Sequence, residues 1–169
     1  MDKFLTIDAN GKQIKKDVGV QVSAGAADAG KAVVLKADGT IDSSMFGVGV
    51  GGDSIMMIAS ETLAAGNIVS VWDNNGAFNV RKSDATAYGK KADGFVLDAA
   101  TATQPVKVYF EGTNTGAAGL VPGDVFLSTT AGGITQSAPS TIGNVIQKIG
   151  TSITATSFNV EFSEPIELA

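Results

Sequence analysis

Three times along this chain a small residue and a glycine open a short run rich in β-branched side chains, and a second glycine follows about ten residues later. The copies are Ala29-Gly30-Lys31-Ala32-Val33-Val34-Leu35 with Gly39, Gly66-Asn67-Ile68-Val69-Ser70-Val71 with Gly76, and Gly123-Asp124-Val125-Phe126-Leu127 with Gly133. Each reads as a turn, a strand, a turn and a second strand, the second strands being Thr40-Ile41, Ala77-Phe78-Asn79-Val80 and Ile134-Thr135. Short strands at regular spacing, separated by turn chemistry, point to a sandwich or barrel. No segment carries the apolar stripe of an amphipathic helix. The expected class is all-β: a compact antiparallel β-sandwich or barrel with hairpin pseudo-repeats.

The chain has 169 residues, enough for one domain with a real core. Charged residues make up 17% of it, below the usual quarter, and 21 are glycine, which suits tight turns and uncharged polar surfaces. A net charge of -5 argues against nucleic acid as a partner, since phosphates call for a basic face. The charge is uneven. Lys3, Lys12, Lys15 and Lys16 crowd the first sixteen residues, whereas Glu111, Asp124, Glu161, Glu164 and Glu167 face only Lys148 in the last third. A basic start and an acidic end could attract each other between subunits, or the start could seek an acidic partner. We take the four lysines as candidate partner contacts, beside the plain alternative of solvated surface charge.

Cysteine and histidine are both absent, which removes disulfides, thiolate metal sites and Ser–His or Cys–His nucleophilic pairs. No apolar segment follows Met1-Asp2-Lys3-Phe4 as a secretory signal would require, and the longest apolar stretch, Ile55 to Ala59, is too short to cross a bilayer. A soluble protein made in the cytoplasm is expected, with no membrane partner.

Asn10-Gly11 is a two-residue hairpin signal joining Phe4–Ile7 to a lysine-rich return strand, Lys12 to Lys16. Val18, Val20 and Val22 then alternate on one face, and Ser23 to Gly30 is an Ala/Gly linker. These signals divide the chain into an N-terminal hairpin or arm, 1–24, and a β-domain, 25–169. Ile55 to Ile58 reads as a buried run, Asp73-Asn74-Asn75-Gly76 as a hairpin turn, and Ser83 to Lys90 as room for one helical turn. The last third mirrors the middle. Leu63-Ala64-Ala65-Gly66-Asn67-Ile68 matches Leu120-Val121-Pro122-Gly123-Asp124-Val125, and Val106-Lys107-Val108-Tyr109-Phe110 matches Phe158-Asn159-Val160-Glu161-Phe162. Expected core residues are Val69, Val71, Phe95, Val108, Phe110, Val125, Leu127, Ile146, Phe158, Val160 and Phe162.

Gly47, Gly49 and Gly52 meet the dinucleotide-binding spacing, with Asp73 about twenty residues on. That fingerprint works only where a strand feeds a helix, and a glycine-rich bend between β layers accounts better for it. Glu61, Glu111 and Glu161 lie near strand ends and are the candidates for paired-carboxylate chemistry. Calcium at Asp8, Asn10 and Gly11, or at Asp73 and Asn75, lacks the full ligand spacing of a calcium loop. We therefore expect no enzyme activity, no cofactor and no metal. Trp72, the single tryptophan, reads as an anchor at one end of the core or as a partner platform.

Four segments together form a recognisable pattern: Leu120 to Ser128, Ala131-Gly132-Gly133-Ile134-Thr135, Ala138-Pro139-Ser140, and Gly143 to Gly150. They place a Leu-x-Pro-Gly turn into an apolar strand, then a Gly-Gly-hydrophobic-Thr hairpin, a proline, and a Val-x-Gln-x-hydrophobic-Gly strand. Leu63 to Val80, with Ala92 to Val96, shares this pattern. Over residues 55–162 the chain resembles the capsid cement, or head decoration, proteins of tailed bacteriophages. The resemblance implies a structural virion protein, a homotrimer bound to the outer capsid surface, that stabilises the shell by bridging major capsid proteins. The alternative is a tail or fibre module that binds a host glycan or receptor.

Overall fold

The computed structural model describes residues 3–7, 11, 14–46 and 53–169. The chain divides into two compact units, Met1–Gly51 and Gly52–Ala169, so residues 25–46 group with the N-terminal hairpin.

In the first unit, β1 (Lys3–Ile7) pairs antiparallel with β2 (Ile14–Val18). The last described pair, Ile7 with Ile14, is centred on Asn10-Gly11, the register that a two-residue turn there would set. The first repeat copy does not form its hairpin. Val33 makes a single parallel bridge with Val20, and Gly39, at φ +78°, turns the chain between Lys36 and Thr40 without flanking strands. Val33 and Leu35 are both about half exposed, and two strands without a covering layer are marginal in water.

The larger unit is all-β. Its first half holds β3 (Ser54–Ala59), β4 (Ile68–Asn74), β5 (Ala77–Lys82), β6 (Gly94–Val96) and β7 (Pro105–Tyr109), closed into a barrel in the order β3-β5-β4-β6-β7. Its second half holds β8 (Gly112–Asn114), β9 (Asp124–Leu127), β10 (Ile134–Thr135), β12 (Lys148–Thr154) and β13 (Ser157–Val160), an open sheet in the order β10-β9-β12-β13-β8. A short ladder joins β11 (Val145–Ile146) to β14 (Ile166–Glu167).

These halves share one topology. Each begins with a strand that ends up beside the last one (β3 with β7, β8 with β13). Each continues with a hairpin (β4 with β5, β9 with β10) whose first strand pairs with the next long element (β6, β12). All of these pairings are antiparallel. The barrel differs by one further pairing, β3 parallel to β5 through Ile58 with Asn79 and Ala59 with Val80. The expected all-β barrel is thus present, and this one parallel pairing makes it mixed. The mirrored segments thus occupy equivalent strand positions in the two halves.

The middle hairpin obeys its turn residues. Asn74 pairs with Ala77, and Asn75 (φ +56°) and Gly76 (φ +86°) supply the two left-handed positions of a tight hairpin turn. Asp73 accepts the Gly76 N–H at 2.6 Å.

Alternation along the barrel strands feeds two cores. Val69, Val80, Val96, Val106 and Val108 fill the barrel with Ala59 and Leu63. Their neighbours Ile68 and Phe95 point outward into a second core, shared with Val125, Leu127, Ile149, Phe158 and Val160 of the open sheet. Strands buried on both faces explain the unbroken burial of Gly94–Val96. Val71, Phe110, Ile146 and Phe162 are only half-buried; Val145 and Ile149 take the interior positions near Ile146. The run Ile55 to Ile58 is not buried. Ile55, Met56 and Ile58 are 54%, 59% and 41% exposed, because among the described residues of the larger unit no strand packs over the outer face of β3, and Ile55 lies at the barrel's end. The expected helical turn near Ser83 to Lys90 is a 3-10 turn at Tyr88–Lys90.

Candidate functional site

The register shows why the second module stays open. Ile55 and Met57 face Val108 and Val106, just as Gly112 and Asn114 face Val160 and Phe158. Two residues further, Ala59 of the barrel corresponds to Gly116. Likewise Ser70 with Arg81 corresponds to Leu127 with Ile134, which places Gly132 and Gly133 where the barrel has Asn79 and Val80. Three of the four residues that close the barrel are thus replaced by glycines, and the fourth, Ile58, by Thr115. The Gly66 turn of the first module lies between them.

A Cβ on Gly116 would sit 2.4 Å from the Gly66 Cα, and one on Gly132 would sit 2.8 Å from the Asn67 carboxamide carbon. The wedge is hydrogen-bonded on both sides. Asn114 donates Nδ2–H to the Gly66 carbonyl at 3.0 Å, and Ile68 donates its N–H to the Gly132 carbonyl at 3.1 Å. A cleft of about 200 Å³ remains beside the wedge, over Phe158 and Ile134.

A second bridge between modules is Gln147, 2% exposed. Its Oε1 accepts the Ala92 N–H at 2.8 Å, while Nε2 donates to the Ala92 and Ser163 carbonyls at 3.0 and 3.1 Å. A buried side-chain amide here does what a strand neighbour would do for Ala92. Nothing in the sequence singled it out except its place in the Val-x-Gln-x-hydrophobic-Gly strand.

Two acids hold backbone and lysine donors near these elements. Asp84 accepts from the Thr86 hydroxyl, from the Thr86 N–H at 3.0 Å and from Lys90 Nζ at 2.9 Å. Burial pushes its carboxyl up, but the Thr86 and Lys90 donors outweigh that and hold it below the ordinary aspartate value. Asp93 takes the Val71 N–H at 2.9 Å and Lys91 Nζ at 2.5 Å, which raises the Lys91 pKa.

The barrel's outer wall carries exposed apolar side chains. Met57 and Ala59 pack inward, so Met56 and Ile58 point out. Trp72 lies on this wall and not in the barrel core. Its indole N–H donates to Ser60 Oγ at 2.7 Å, and the Arg81 guanidinium carbon sits 4.8 Å from its ring centroid. Arg81 donates Nη2–H to the Gly89 carbonyl at 2.7 Å, and its buried Nε has no hydrogen-bond partner. On the next strand, Lys107 faces Met56 and lies over the Tyr109 ring at 5.5 Å.

Of the four candidate lysines, Lys3 begins β1 opposite Val18, and Lys15 and Lys16 on β2 face Thr6 and Leu5. Lys12 lies outside the described residues, as do Asp8, Asn10 and the Gly47–Gly52 bend. Beyond that bend the chain enters strand β3, with no helix to receive a pyrophosphate. Asp73 is occupied by its own turn. Glu61 accepts the Lys82 N–H at 2.9 Å and Glu111 accepts the Asp53 N–H at 3.3 Å. They flank opposite ends of β3, roughly 20 Å apart at about 3.3 Å per residue. Paired glycosidase carboxylates lie within about 5–9.5 Å of each other. Among the described residues no three acids gather as metal ligands.

No protein-family model matches the chain, and no curated protein matches it.

Proposed function

We propose that this protein is a capsid decoration protein of a tailed bacteriophage, a structural component that binds the outer shell and bridges neighbouring major capsid proteins. The observation that carries the reading is the distribution of exposed apolar side chains over three different elements. Met56, Ile58 and Phe78 project from the barrel, Val121 and Ile153 from the Gly123 turn and β12, and Ile142 and Ile166 from the segment before β11 and from β14. A protein that bridges several neighbours uses several contact faces, and weak contacts multiplied by valency give durable attachment.

The Gly123 turn is pre-organised for contact. Gln136 accepts the Val121 N–H at 3.0 Å and donates to its carbonyl at 2.6 Å, while Ser152 Oγ accepts the Gly123 N–H at 2.9 Å. Val121 is 62% exposed on a backbone already held in place, so little ordering remains to oppose binding. The repeated strand order supports the reading in another way: two rigid β modules joined by a wedge make a stiff spacer. The receptor-binding alternative would draw on aromatic platforms, and the single tryptophan has its N–H donated to Ser60 and a face covered by Arg81.

Electron cryo-microscopy of the phage particles tests the proposal. Density for this protein over junctions between capsid proteins is the expected result. Density confined to the tail, or its absence from the particle, overturns the proposal.

A further inference from the structure

Asn-Gly occurs twice in the chain, and both times an aspartate stands two residues before the asparagine: Asp8-Ala9-Asn10-Gly11 and Asp73-Asn74-Asn75-Gly76. The pair suits a tight hairpin turn because both residues accept a left-handed backbone. It is also the pair in which an asparagine is most open to attack by its own chain, since glycine puts no side chain in the way of its backbone nitrogen. Once its proton has gone to water, the Gly76 nitrogen can close on Asn75 Cγ. The N–Cγ bond forms, the Cγ–Nδ2 bond breaks, and the leaving nitrogen takes up a proton and departs as ammonia. Water then opens the succinimide ring at either carbonyl, giving aspartate or isoaspartate. Nothing is oxidised or reduced, and water is the only co-reactant.

In the β4–β5 hairpin, Asn75 and Gly76 are both exposed, so water reaches them. The groups that the reaction needs are nevertheless engaged. Asp73 accepts the Gly76 N–H at 2.6 Å, which ties up the proton that must leave. The same carboxylate sets a negative charge against the nitrogen and so disfavours its deprotonated form. Asn75 (φ +56°) and Gly76 (φ +86°) are also fixed between the paired residues Asn74 and Ala77. Closing the ring requires the peptide between them to rotate out of that turn, and the Asp73 hydrogen bond must break for it to do so.

We propose that Asn75 is a site of spontaneous deamidation and that the Asp73 carboxylate protects it, by holding the Gly76 N–H for as long as the hairpin is folded. The protected feature is the hairpin tip. Isoaspartate lengthens the main chain by a carbon, so a turn that contains it cannot keep Asn74 opposite Ala77. Phe78, 80% exposed and directly opposite Asp73, would lose its place with that register. The recurrence of the spacing at Asp8 gives the same expectation for Asn10-Gly11, of which Gly11, at φ +69°, lies among the described residues. This chemistry does not depend on a capsid being present.

The test is incubation of the full chain in mildly alkaline buffer, with Asn75 followed by peptide mass spectrometry and isoaspartate separated from aspartate by chromatography. Wild type should deamidate at Asn75 far more slowly when folded than in urea. Asp73→Ala should raise the folded-state rate by about tenfold, the factor that one hydrogen bond to a charged group carries. Asp73→Asn keeps an acceptor oxygen without the charge, and its rate should lie between the two. In urea, where no turn holds the N–H, the three chains should react at similar rates. Circular dichroism and Trp72 fluorescence check that each variant is folded, and should Asp73→Ala fail to fold, Asp73→Asn against wild type decides the matter. A wild type that reacts as fast folded as in urea overturns the proposal. So does a folded Asp73 variant that reacts no faster than wild type, or a difference between the chains that persists undiminished in urea.

Discussion

Gly116→Ala isolates the wedge between the two modules. Gly116 has no left-handed φ, so an alanine there meets no backbone penalty and the effect is steric. The new Cβ would lie 2.4 Å from the Gly66 Cα, 2.8 Å from the Gly66 nitrogen and 3.2 Å from the Ala65 carbonyl carbon. All three are backbone atoms, which no rotamer change can move. Over-packing of a tight interior typically costs about 1–3 kcal/mol, and a backbone obstacle places this case at the upper end. Separating the segments also strains the Asn114 bond to the Gly66 carbonyl, 3.0 Å long, at a cost of about 1 kcal/mol. The expected loss is therefore about 3–4 kcal/mol. Urea denaturation monitored by Trp72 fluorescence reports on the larger unit, because the single tryptophan lies on β4. Gly89→Ala is the control, since nothing lies within 4 Å of its Cβ position and its φ is ordinary. It should change stability by no more than about 0.5 kcal/mol. Equal midpoints for the two variants would refute the wedge.

Gln147→Leu should destabilise the larger unit by about 2–3 kcal/mol, because it strands the buried Ala92 N–H and carbonyl; the same denaturation assay measures it. Phe158→Ala removes a fully buried ring from the shared core and should cost about 3–5 kcal/mol, whereas half-buried Phe110→Ala should cost about 2 kcal/mol. Equal losses would contradict the burial difference between them. The Asp84 carboxyl titrates below its ordinary value of 3.8 in the folded protein, so its contribution is present above that value and disappears as the pH falls through the lower folded pKa. Thermal midpoints measured from about pH 5 down to about pH 2 should fall less steeply for Asp84→Asn than for the wild type.

Much of the larger unit was legible before folding, because its signals are local. Asn75-Gly76 has the left-handed conformations its turn needs, and the valines of β4, β5 and β7 alternate into the barrel as period two demands. The mirrored Leu63 and Leu120 segments lead into equivalent strands of the two halves. Turn chemistry and alternation depend on neighbours within a few residues, so the chain states them directly. The same logic failed for the first repeat copy. Val33 and Leu35 carry strand residues but remain about half exposed, and strand propensity without a layer to pack on does not make a sheet.

What only the tertiary structure decided is which edges meet. Ile55 to Ile58 reads as a core run, yet β3 buries little but its inward face, and Met56 and Ile58 on its outer face stay 59% and 41% exposed. Identical strand orders end differently because Ile58 and Ala59 pair in parallel with Asn79 and Val80 to close one module, while Gly116, Gly132 and Gly133 admit the Gly66 turn into the other. Gln147 acts on a residue 55 positions away, and β3 acquires cationic flanks only because β5 and β7 close around it. Composition, turns and alternation are properties of short stretches of chain. Edge closure, the wedge and the charged outer wall are relations between distant stretches, and they exist only once the backbone has brought those stretches together.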